Sequence, residues 1–164
     1  MTEHDASIYA HIDSLDTLNK PARLEQKLAT IHESLFAHMD FIDRISVAKY
    51  DPGTDELKTF LASSPGTNDL VRYEAKLSET PSLLEVLRAG RPRVVQDLDL
   101  FHQGVHLHTK IIAREGYRFS YTSPMYLNGV FWGFIFFNFR TSDAPLDENV
   151  LRLPDVFSHL ISAV

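Results

Sequence analysis

Two long runs of strand-type residues meet at Asn128-Gly129, within the stretch Tyr117 to Arg140. Both central residues of a type I′ turn need positive φ, which asparagine and glycine tolerate best, so the pattern predicts a β-hairpin. The second arm, Val130 to Phe139, is apolar at odd and even positions alike. That predicts a central strand covered on both faces. Gly133 interrupts it with a gap that admits a helix, another backbone or a ligand. Pro124 in the first arm has no N–H to give to a ladder and suits an edge, a bulge or a bend near the turn.

Around this pair the periodicity changes from two to three and four. Leu24, Leu28, Ile31, Leu35 and Met39 predict an amphipathic helix of about 18 residues opening at Pro21. Asp43 to Tyr50 alternates, with Ile45 and Val47 on one side, and the cluster Asp51-Pro52-Gly53-Thr54-Asp55 turns the chain into a second strand over 56–62. A loop over 63–69 leads to a short irregular strand over 71–77. Thr80 as cap and Pro81 at the first position start a helix carrying Leu83, Leu84 and Leu87, which Gly90 stops. Arg93 to Gln96 is a short strand, 102–115 a helix ended by Gly116, and Pro145 to Ile161 a last helix that Pro154 kinks or splits. Residues 1–19 are a polar extension with weak helical periodicity in Ile8, Tyr9, Ile12, Leu15 and Leu18. The remainder, 20–164, reads as a single α+β domain, an antiparallel sheet with segregated helices.

Composition narrows the function classes. A chain of 164 residues that is 44% hydrophobic and 11% aromatic has ample material for one core. A net charge of −6 with no basic patch argues against nucleic-acid binding. The absence of cysteine removes disulfides, thiolate metal sites, thiol nucleophiles and thioether attachment of a chromophore. The acidic start lacks the apolar run of a signal peptide, and no stretch approaches the roughly 20 apolar residues that span a bilayer. A cytoplasmic domain is expected, with no membrane partner.

Three segments together resemble the GAF domain family of small sensory modules. Asp43-Arg44-Ile45-Ser46-Val47-Ala48-Lys49-Tyr50-Asp51-Pro52 resembles its first core strand, and Gly90-Arg91-Pro92-Arg93-Val94-Val95-Gln96-Asp97 its central short strand. Gly116-Tyr117-Arg118-Phe119-Ser120-Tyr121, continuing through Pro124, Gly129 and Trp132-Gly133-Phe134, resembles its last hairpin. The resemblance implies a GAF/PAS-like, antiparallel six-stranded sheet with terminal helices on one face. On the other face it implies a ligand pocket roofed by 63–80 and 97–116. It also implies a small-molecule ligand, a homodimer through the terminal helices and a fused or separate signalling output domain. The Asn-Lys-Phe-Asp-Glu pattern of the cyclic-nucleotide-binding members is absent. Without cysteine, bilin attachment, methionine sulfoxide reduction and the cysteine-containing iron site of nitric-oxide sensors do not carry over either.

The candidate ligand-binding residues are Arg118, Phe119, Tyr121, Ser123, Trp132 and Phe134. If odd-numbered residues face the pocket, Tyr121 and Ser123 look inward and Arg118 outward; the opposite register reverses this. A buried arginine would suit a carboxylate or phosphate, whereas on the surface it makes a salt bridge worth less than about 1 kcal/mol. The aromatic residues serve as plain core equally well. His102, His106 and His108 form H-x3-H-x-H, with Asp97 and Asp99 upstream. On a helix His102 and His106 share a face, the spacing at which two imidazoles hold a metal or one holds a haem iron; a solvated histidine-rich segment is the plainer reading. No nucleophile motif or phosphate loop is present, so the chain reads as a non-catalytic ligand-binding domain. A metal or haem protein and a purely structural dimerisation module are the alternatives.

Overall fold

The computed structural model describes residues 11–40, 42–64, 74–95, 117, 119–140 and 147–163. Six strands, β1 (Arg44–Asp51), β2 (Glu56–Ser63), β3 (Glu74–Lys76), β4 (Arg93–Val95), β5 (Phe119–Leu127) and β6 (Val130–Phe139), form one sheet in the order β3-β2-β1-β6-β5-β4. Every pairing is antiparallel. The helices are α1 (Leu24–Phe36), α2 (Pro81–Ala89) and α3 (Glu148–Ala163), with short 3-10 turns at Asp16–Asn19 and Leu77–Glu79. The expected α+β architecture is therefore present, with β6 at the sheet's centre beside β1 and β5.

The local signals explain the elements. Asn128 and Gly129 take φ of 51° and 78°, as the tight β5–β6 turn requires. Gly90 ends α2 with φ of 62°. Pro124 sits on β5 opposite Phe134 of β6, beyond the last described β4–β5 pair at Thr122–Arg93. Pro154 lies inside α3, which continues through it as one helix. Among the first nineteen residues the described part contributes Leu15 and Leu18, which pack against the core.

Each face of the sheet has its own cluster. Ile45, Val47, Ile135, Phe137 and Phe139 meet Leu28, Ile31 and Leu35 of α1 and Phe157 of α3 on one side. Ala48, Leu57 and Phe134 meet Leu77 and the α2 residues Leu83 and Val86 on the other. The terminal helices thus share one face, and α2 lies on the opposite one.

Two bulges modify the register. Val47 faces Leu61 while Ala48 faces Thr59, which leaves Phe60 as the extra residue of β2. Met125 faces Gly133 while Tyr126 faces Phe131, which leaves Trp132 as the extra residue of β6. The second bulge inverts the alternation, so Trp132 packs on the terminal-helix cluster and Phe131 on the Phe134 side. Gly133 is needed here because a Cβ would stand 2.0 Å from the Ala48 carbonyl oxygen. Of the three occupants admitted by the gap, the structure supplies a neighbouring strand's backbone.

Candidate functional site

Period-two alternation puts the even-numbered residues of β1, β5 and the far half of β6 on the face away from α1 and α3. Strand pairing then sets Arg44 opposite Asn138 and Asn138 opposite Ser120. One step along, Ser46 faces Phe136, Phe136 faces Thr122, and Thr122 faces Arg93. Polar side chains from four strands therefore surround Phe136 on one face.

This patch is buried and incompletely satisfied. Arg44 is 4% exposed and Asn138 1%. The Arg44 guanidinium donates from Nη1 to Ser46 Oγ at 2.9 Å. Burial pulls its pKa down from the ordinary arginine value, while the Tyr117 phenol opposes that shift. Among the described residues neither Nδ2 nor Oδ1 of Asn138 has a hydrogen-bond partner, and Nε of Arg93 has none. Each such orphan costs about 1–3 kcal/mol of desolvation. Arg93 donates from Nη1 to the Ser82 carbonyl at 3.0 Å, and burial again depresses its pKa, with Glu85 opposing. Among the described residues no carboxylate forms an ion pair with Arg44 or Arg93. Arg140 adds a third cation at one edge, 4.8 Å from the centre of the buried Tyr117 ring. The face can accept an anion and offers both a hydrogen-bond donor and an acceptor.

The residues picked out from the sequence divide between the two faces. Phe134 lies on the same side as Ala48 and α2, next to the polar patch. Phe119, Tyr121 and Trp132 pack with the terminal helices. Tyr121 donates its hydroxyl to Asp155 of α3, and burial, reinforced by that carboxylate, raises its pKa. Ser123, opposite Ile135 and beside Tyr121, shares that side. The register is thus the one in which odd-numbered residues of β5 face the helices. Arg118, His102, His106, His108, Asp97 and Asp99 lie outside the described residues. Among the described residues no group of three His, Asp or Glu side chains could hold a metal.

Arg44 and Asn138 were not singled out from the sequence. The available signal was a polar residue at an even position in an otherwise apolar strand, Asn138 between Phe137 and Phe139. On the helix side, Leu24, Val47, Phe60, Met125, Trp132 and Ile161 line an open apolar groove of about 300 Å³.

No family model and no curated protein matches the sequence. Solved structures do match the fold. The chromophore-binding domain of an unusual bacteriophytochrome from R. palustris superimposes with a TM-score of 0.64 at 13% identity, covering 92% of this chain and 58% of that one. The GAF domain from a phosphoenolpyruvate-protein phosphotransferase of Coxiella burnetii gives 0.67 at 19% identity, covering 92% and 86%. The phycocyanobilin-bound GAF domain from a cyanobacterial phytochrome gives 0.64 at 16%, covering 92% and 88%. The chain spans 58% and 56% of the lengths of two bacteriophytochrome chromophore-binding domains that it matches.

Proposed function

Since the chain has the GAF-domain fold, we propose that it is a non-catalytic sensory module. It holds a small ligand on the polar face of the sheet and reports occupancy through the terminal helices. The observation that carries this reading is Asn138, buried to 1% exposure, directly opposite Arg44, and with both amide atoms unpartnered among the described residues. Buried polar groups are left unsatisfied mainly where something else is meant to satisfy them. A ligand there would touch Thr122, whose neighbour on β5, Tyr121, holds α3 through Asp155. A shift of β5 would therefore be felt by the helix. Phe119, Tyr121, Ser123 and Trp132 serve in this reading on the transmitting side and Phe134 on the receiving side. Since the chain has no cysteine, a chromophore could not be attached to it through a thioether.

A second copy of the chain is the proposed partner of the terminal helices, supported by Val156 of α3 and Leu24 of α1, which are 62% and 38% exposed. Native mass spectrometry and an absorption spectrum of freshly purified protein test both parts. A dimer that carries a small molecule, released when Asn138 is replaced by leucine, is the expected result. An unliganded protein whose α3 amides exchange hydrogen identically with and without every small molecule tried would refute the sensory reading.

A further inference from the structure

The ligand-binding reading above leaves the ligand's chemistry open, and the inference here rests on that reading and specifies it. Arg44 and Asn138 are directly opposed on β1 and β6, so their side chains start about 5 Å apart and can grip one group together. The Ser46 hydroxyl holds Nη1 of Arg44 without supplying charge, and no carboxylate among the described residues pairs with that guanidinium. Of the three cations, Arg44 alone is fully buried among the described residues, Arg93 being partly exposed and Arg140 exposed, so a single negative charge matches the one that stands opposite Asn138. A neutral ligand would leave it unpaired, and a phosphate monoester would bring nearly two charges to it. The planar fork of arginine fits a carboxylate.

The Asn138 amide adds a second requirement. Its Nδ2 donors and its Oδ1 acceptor are both unused among the described residues, so the ligand must bring an acceptor and a donor to the same place. A carboxylate oxygen answers the first, and a neighbouring hydroxyl or ammonium answers the second. Phe136, between Ser46 and Thr122 in the adjacent row, offers an apolar surface beside both. We propose that this face binds a small hydroxy- or amino-carboxylic acid, with its carboxylate on Arg44 and Asn138 and its apolar part against Phe136.

Isothermal titration calorimetry of the full chain tests this with L-phenyllactate, L-phenylalanine, phenylalaninol and phenyl phosphate at one ionic strength. Phenyllactate or phenylalanine should bind at least about tenfold more tightly than phenylalaninol, which lacks the carboxylate, and than phenyl phosphate. Asn138→Asp puts a carboxylate opposite Arg44 in the ligand's place. It should raise the melting temperature of the unliganded protein and weaken acid binding at least about tenfold. Arg44→Lys, which keeps the charge without the fork, should fold and also bind more weakly. Equal binding of phenylalaninol, unaffected by Asn138→Asp, would overturn the acid class and leave the sensory reading standing, as would a preference for phenyl phosphate. No binding by any of the four also overturns the acid class. The sensory reading then survives if native mass spectrometry finds a co-purified small molecule, and falls if it finds none and α3 amide exchange is the same with and without every small molecule tried.

Discussion

The two faces of the sheet are made from alternate residues of the same strands, yet they are finished differently. On the terminal-helix side the polar groups have partners. His32 of α1 sits 3% exposed with Nδ1 2.8 Å from Ser63 Oγ and Nε2 2.8 Å from the Ile42 carbonyl. A carbonyl can only accept, so Nε2 carries the proton and Nδ1 accepts from the Ser63 hydroxyl. Tyr121 is held by Asp155, and Ser158 donates to the Asp155 carbonyl at 2.9 Å. On the opposite side the Asn138 amide and Arg93 Nε have no hydrogen-bond partner among the described residues. One face has its polar groups paired, and the other keeps polar groups that the described residues leave unpaired.

This contrast can be broken most forcefully at Phe137, wholly buried on the helix side. Phe137→Ala should cost about 3–5 kcal/mol, read as a drop in the urea midpoint with an unchanged slope. Gly133→Ala should cost about 3 kcal/mol by the same assay, because the new Cβ meets the Ala48 carbonyl and the β1–β6 ladder must yield. A smaller effect belongs to His32. Burial holds its imidazole pKa below the ordinary value, against the opposing Ile42 carbonyl and the Asp43 charge. The native state therefore binds fewer protons than the unfolded chain. His32 adds full stability above a pH of about 6.5 and loses it as the pH falls toward the lowered native value. His32→Gln, compared with the parent at pH 7.5 and 5.0, should be less stable at the higher pH and lose less on acidification. The smallest change is expected on the polar face. Asn138→Leu should leave unliganded stability unchanged or raise it by about 1 kcal/mol, since it removes the orphaned amide but leaves the buried Arg44 charge opposite without that polar neighbour. A loss as large as that at Phe137 would erase the distinction between the faces.

The polar face could not be located from the pattern that predicted the sheet. In β6 the even positions Phe134 and Phe136 are as apolar as the odd positions Ile135 and Phe137, so alternation left both registers open. The choice was made by α1 and α3, whose residues close over the odd set. Trp132 shows the same limit, because a bulge of one residue sent it to the helix side. Nothing in the run Val130 to Phe139 marks that bulge except Gly133, which by itself signals several kinds of close approach.

What the sequence by itself determined was local. Positive φ at Asn128-Gly129 set the hairpin, Pro81 and Gly90 bounded α2, and three-to-four spacing made α1. Each depends on residues within a few positions of one another. The order of elements then carried the α+β architecture and the resemblance to the fold that the structure shows. Only the tertiary structure decided which face the helices close and which residues meet on the other. Arg44 and Asn138 come from strands near opposite ends of the chain, and their opposition depends on the β1–β6 register, a long-range pairing that no local pattern specifies.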